Sequence, residues 1–204
     1  MDFGRIYPSD KAPKIIALFR KPATKKEDDT MKAIVYTSNT GSSKAYAEML
    51  GAKTALPVYA WDDAVKTLDN GTGILYIGWL MAGAVVNLAK AQKKFTVRAV
   101  CAVGMTSSKE MESSVRTRNK LPADMPLFLM QGAYDKTKLH GMYRFAMKIV
   151  GAALEKKISA IPERTEEEER ILTMLRVGGS GVKEEKLNAV LAWYENRSNG
   201  GNET

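Results

Sequence analysis

The chain has 204 residues, 45% of them hydrophobic and 26% charged, with a single cysteine and a formal net charge of +8. That length suits one core with appendages. No run approaches the ~18 apolar residues of a membrane-spanning helix, and one cysteine excludes an internal disulfide and a multi-cysteine metal or iron–sulfur site.

Residues 1–30 hold one short apolar run, Ile15 to Phe19, among Pro, Lys and Asp, and read as a peripheral arm. Met31 to Leu50 reads as a buried strand (Ala33, Ile34, Val35, Tyr36), a hydroxyl-rich turn (Thr37 to Ser43) and an amphipathic helix. That order brings free N–H groups to a helix N-terminus, where unpaired amides and the macrodipole favour an anion. Ser38, Thr40, Ser42 and Ser43 add four hydroxyls, and Gly41 keeps a Cβ out of a ligand's path. With only one glycine in the turn, both G-x-x-x-x-G-K-[ST] and G-x-G-x-x-G are absent. An ordinary helix start capped by Ser or Thr is the competing reading.

A short strand is expected near Thr54 to Val58, then a helix over Ala60 to Leu68 with Asp62 and Asp63 in its first turn. Ile74 to Ile77 is a continuous apolar run of the kind found in a central parallel strand. Gly78 to Gly83 follows as an apolar, glycine-flanked loop, and Val85 to Lys94 as a helix. Val97 to Val103 is the next buried strand, ending at Gly104-Met105-Thr106; its Cys101 reads as a small core residue. Ser108 to Lys120 is a polar helix ended by Pro122, and Pro126 to Gln131 a further strand broken by Gly132. Helices are predicted over Gly141 to Lys157, Glu163 to Arg176 and Lys183 to Asn196. The lone histidine, His140, reads as a helix-start residue and not as a metal ligand.

The alternation predicts an α/β domain over residues 31–197, with a five-stranded parallel sheet, helices on both faces, a helical insertion at about 134–181 and a tail over 198–204. Ligands of such doubly wound sheets sit outside the carboxyl ends of the strands.

Three separated stretches resemble the flavodoxin family. Ser38-Asn39-Thr40-Gly41-Ser42-Ser43 resembles the S/T-x-T-G-x-S/T loop that holds the FMN phosphate, and Val97 to Ser108 resembles the strand and loop beside the isoalloxazine. Gly132-Ala133, with Tyr143-Arg144-Phe145 and Lys148, resembles the branch containing menaquinone-dependent protoporphyrinogen oxidase. The resemblance covers roughly residues 31 to 197 and implies a flavodoxin-like sheet of order 2-1-3-4-5 with bound FMN. It gives the phosphate to Ser38–Ser43 and the ring to a slot between Trp79, Leu80, Met81 and Ala82 on one side and Gly104, Met105 and Thr106 on the other. The propionates of a tetrapyrrole substrate would suit Arg144, Lys148, Lys136 and Lys138, and Tyr134 and Arg144 could touch a substrate; a surface tyrosine and solvated cations are the plainer reading.

Two functions follow from that resemblance. One is an FMN oxidoreductase linked to a quinone and similar to protoporphyrinogen oxidase. The other is a flavodoxin-type carrier that docks to a redox partner protein and has no small-molecule substrate. Residues 31–150 hold 16 basic against 8 acidic side chains, which is the whole excess charge and favours anionic partners over an acidic carrier face. No nucleic acid is expected, because no basic stretch is interleaved with aromatics. Cytoplasmic residence is expected from the lack of an apolar leader, with peripheral contact with an anionic membrane as an extension.

Overall fold

The computed structural model describes residues 30–105, 109–134 and 141–200. Expectations for the arm up to residue 29, Thr106, Lys136, Lys138, His140 and the last four residues lie outside the described residues. Five parallel strands are ordered β2 (Val58–Ala60), β1 (Ala33–Thr37), β3 (Gly73–Met81), β5 (Thr96–Gly104) and β6 (Leu127–Gln131). This is the flavodoxin-like doubly wound order, with one added strand, β4 (Ala84–Val85), antiparallel to the end of β3.

Alternating residues feed two cores because successive strand side chains point to opposite faces. Ala33, Val35, Ile74 and Tyr76 pack on one face with α2 (Trp61–Thr67), α3 (Leu88–Lys94) and α4 (Lys109–Asn119). Ile34, Leu75 and Ile77 pack on the other with α1 (Ser42–Thr54) and α7 (Asn188–Gly200), so the last helix closes the second layer as expected. In β5 the register shifts between the Val97 and Ala99 pairings, and the extra residue there, Arg98, sends those two side chains to opposite faces.

Several boundaries differ from the sequence reading. The second strand is not Thr54 to Val58: α1 runs to Thr54, whose hydroxyl donates to Leu50 O at 2.8 Å, and Ala55 at φ 57° stops it. Gly78 to Gly83 is not a loop. β3 continues through Met81, then Ala82 and Gly83 at φ 48° and 80° turn it into β4, as a tight hairpin turn requires. Asn119, at the end of α4, holds that hairpin by accepting the Val85 amide at 2.8 Å and donating to Gly83 O at 2.9 Å. The next helix therefore starts at Leu88, because Val85 is taken by the ladder with Leu80. The acidic helix α6 (Glu166–Val177) starts after Thr165, which caps it reciprocally with Glu168. Glu184–Leu187 is a 3-10 turn leading into α7.

The insertion is a helical hairpin of α5 (Gly141–Ser159) and α6, bracketed by a two-stranded ladder of β7 (Ala133–Tyr134) with β8 (Gly179–Ser180). Its small core holds Met174, Leu175, Leu154 and Ile171 and reaches Met105 at the end of β5. Among the described residues no helix is long and apolar enough to cross a membrane.

Candidate functional site

β1 delivers the chain to the hydroxyl turn, and α1 begins directly after it with Gly41 as its N-cap. Gly41 has φ 95°, a left-handed conformation that L side chains rarely adopt, and a Cβ there would meet nothing within 4 Å. Backbone conformation, and not crowding, is what requires this glycine. Among the described residues no side chain caps the first turn of α1, and no acidic residue occupies it. The ordinary capped start is thus not what the turn builds. The first-turn amides are left for an acceptor outside the helix.

The hydroxyls divide into three roles. Ser38 Oγ accepts the Gly41 amide at 3.1 Å and so shapes the turn. Ser42 Oγ accepts the Ala133 amide at 2.8 Å, tying the segment after β6 to the start of α1. Ser43 is 1% exposed, and its Oγ has no hydrogen-bond partner among the described residues. A buried hydroxyl without a partner costs about 1–3 kcal/mol, and a ligand oxygen would relieve that cost.

Asn39, Thr40, Ser42 and Ser43 line a cleft of about 520 Å³, counting its open mouth, together with Trp79, Leu80, Val103, Gly104, Met105, Gly132 and Ala133. One end is polar and uncapped; the other is a slot of indole, Leu, Val and Met side chains. Of the residues named from sequence, Asn39, Thr40, Ser42, Ser43, Trp79, Leu80, Gly104 and Met105 meet there. Ser38 and Gly41 shape the turn without lining the cleft. Met81 is 42% exposed and Ala82 is exposed in the hairpin, both off the cleft wall.

Val103, Gly132 and Ala133 line the cleft although the sequence reading left them out of the site. A Cβ on Gly132 would sit 2.9 Å from Val103 Cγ1 and 3.3 Å from Ser42 Oγ, so a glycine is needed where β6 passes the start of α1. The glycine after an apolar strand was the signal for it; nothing local points to Ser42. Gln131 Nε2 donates to Met105 O at 3.2 Å and links the β5 and β6 ends of the wall.

Two buried tyrosines brace the cleft from behind. Tyr46 of α1 donates to Gln131 O at 2.7 Å and accepts the Lys183 amide at 3.4 Å, joining α1 to β6 and to the segment leading to α7. Tyr76 donates to Val86 O at 2.7 Å; its single proton is then used, so Thr37 Oγ1, 2.8 Å away, donates to it. Burial raises the pKa of both phenols, offset in part by the Lys183 amide at Tyr46 and the Thr37 hydroxyl at Tyr76. Burial likewise raises the Cys101 thiol, which stays protonated in the core.

A larger, more open cleft lies between α6 and Gly178–Gly181, but it sets Arg164, Arg170 and Lys183 beside Glu166, Glu169 and Glu185. Such mixed charge selects no single ligand class. Among the described residues no group of three His, Cys, Asp or Glu side chains could hold a metal ion. No protein-family model, curated protein or solved structure matches the chain.

Proposed function

We propose that this protein is an FMN-binding oxidoreductase that passes electrons to a quinone. The observation that carries the reading is the N-terminus of α1, which among the described residues has no side-chain cap and leaves the buried Ser43 hydroxyl without a partner, opening into an apolar slot at the carboxyl ends of β1, β3 and β5. A phosphate ester on a planar apolar ring system has that polarity, and the cleft residues fit it. Thr40, Ser43 and the first-turn amides of α1 would hold the phosphate, while Trp79, Leu80, Val103 and Met105 would enclose the ring and exclude water. FMN when bound supplies the redox chemistry; the chain supplies position and a dry wall.

A quinone is favoured over a docking protein because α5 and α6 build an additional apolar wall that reaches Met105, where a small apolar acceptor could approach the ring edge. The basic balance of residues 31–150 also differs from the acidic face of a flavodoxin-type carrier. Arg144 and Lys148 are exposed on α5 and do not line the cleft, so a tetrapyrrole substrate is a matter for direct assay.

The test begins with the absorption spectrum of purified protein and an FMN titration. Replacing Ser43 by Ala should leave the unliganded fold as stable or more so, because an unsatisfied hydroxyl is removed. The same change should weaken FMN by about 1.5–3 kcal/mol through loss of a hydrogen bond to a charged phosphate. Unchanged FMN affinity, or binding of FAD with none of FMN, would sink the reading. Stopped-flow mixing of photoreduced protein with quinones, with an acidic redox protein and with air then decides the acceptor. Quinones reacting no faster than oxygen, while the protein acceptor reacts rapidly, would make this a carrier. Protoporphyrinogen turnover is measured beside them.

A further inference from the structure

Among the described residues, the outward side of α5 is where exposed large apolar side chains cluster. Phe145, Ile149 and Val150 are 68%, 57% and 56% exposed within six residues of one another, whereas exposed large apolar side chains on folded proteins usually occur singly. Phe145 and Ile149 are four residues apart and fall on one ridge, which Ala152, Ala153 and Lys156, all exposed, continue. Arg144 and Lys148 form the adjacent row on one side of the ridge, and Val150 leads to Lys157 on the other. The inner side is already used, with Gly151 and Ile158 buried and Leu154 packed in the hairpin core.

Charge selects the occupant. Helix α5 carries Arg144, Lys148, Lys156 and Lys157 against one acid, Glu155. That acid is already paired with Arg176 of α6 at 2.9 Å. An apolar ridge bordered by long cationic side chains matches an anionic lipid surface: the ridge enters the acyl boundary while the ammonium and guanidinium groups reach the phosphates. We propose that the outer face of α5 docks the protein onto an anionic bilayer. The docking needs no bound flavin and stands or falls separately from the reading of the cleft.

The full chain is sedimented with vesicles of phosphatidylcholine alone and of an equimolar mixture with phosphatidylglycerol. Binding is expected only to the mixture, and it should weaken as salt rises from about 0.1 M to about 1 M, where the Debye length contracts from about 10 Å to about 3 Å. A Phe145→Ser, Ile149→Ser double variant, altered only at exposed positions, should lose about tenfold or more in vesicle affinity. A polarity-sensitive dye on Ile149→Cys should shift to the blue on the mixed vesicles, whereas the same dye on Asp63→Cys of α2 should not; the native Cys101 is buried. No binding to the mixed vesicles at low salt overturns the proposal. So does a double variant that binds like the parent, or equal dye shifts at both positions. A concentration-dependent dimer that the double variant abolishes, with no vesicle binding, assigns the face to a second copy instead.

Discussion

In β3 the run from Ile74 to Ile77 is at most 1% exposed, whereas on α5 Phe145, Ile149 and Val150 each leave more than half of their surface in solvent. Both stretches are rich in apolar residues, and the difference lies in what surrounds them. β3 has β1 and β5 as neighbours in the sheet and a helix layer on each face, so no side of the Ile74–Ile77 run meets water. α5 has α6 along its inner side, and Met105 at the end of β5 packs against their shared core. Apolar content therefore reports core in one place and surface in the other. A change in the buried run of β3 is felt by the whole fold, and a change on the outer face of α5 is felt at the surface.

Substituting Leu75 by Ala puts the largest load on this contrast. It leaves a cavity in the α1/α7 layer and should cost about 2–5 kcal/mol in urea unfolding, whereas Ile149→Ala should stay within about 0.5 kcal/mol of the parent. Comparable losses at the two positions would mean that α5 is buried in solution and would break the comparison.

Alkaline unfolding sharpens it next. Burial raises the folded-state pKa of Tyr46 and Tyr76 above the ordinary value of 10.0. The stabilisation tied to those neutral phenols is complete below that value. It declines as pH rises through it, because the unfolded chain releases protons that the folded chain keeps. Tyr76, whose shift is the large one, should contribute a loss of up to about 1.4 kcal/mol per pH unit above roughly pH 10, Tyr46 adds in the same direction, and Tyr76→Phe should make the decline shallower. A slope unchanged by Tyr76→Phe would show that this phenol ionises freely in the folded protein.

The smallest effect belongs to the hairpin. Thr165→Ala removes the reciprocal cap of α6 and should cost about 1 kcal/mol. The loss should appear as faster amide exchange in α6, with β3 and β5 protection retained. The Glu168 carboxyl in that cap is held below its usual range, first by the Thr165 amide, then by the Thr165 hydroxyl and by Arg164. The cap is therefore present at neutral pH and is lost as pH falls through the carboxylate range. Equal loosening of α6 and the sheet would show that the hairpin and the core unfold as one unit.

Sequence alone determined the alternation of parallel strands and helices, the placement of the hydroxyl turn and the insertion of helices between the last sheet strand and the final helix. Those features have local causes. Strands buried on both faces read as unbroken apolar runs, and a glycine amid hydroxyls must end a strand. Tertiary structure decided what depends on partners distant in the chain. Trp79 to Met81 reads as an apolar loop until Asn119 and Val85 hold it as a hairpin. Four serine and threonine hydroxyls look equivalent until the Ala133 amide takes Ser42, the Gly41 amide takes Ser38, and burial isolates Ser43. The i, i+4 spacing of Phe145 and Ile149 on α5 suits a core side and an outward side equally, and it is Leu154 and Ile158 that supply the inner side, leaving Phe145 and Ile149 in water. Periodicity states that a helix has two sides. Only the packing of its neighbours decides which side is covered.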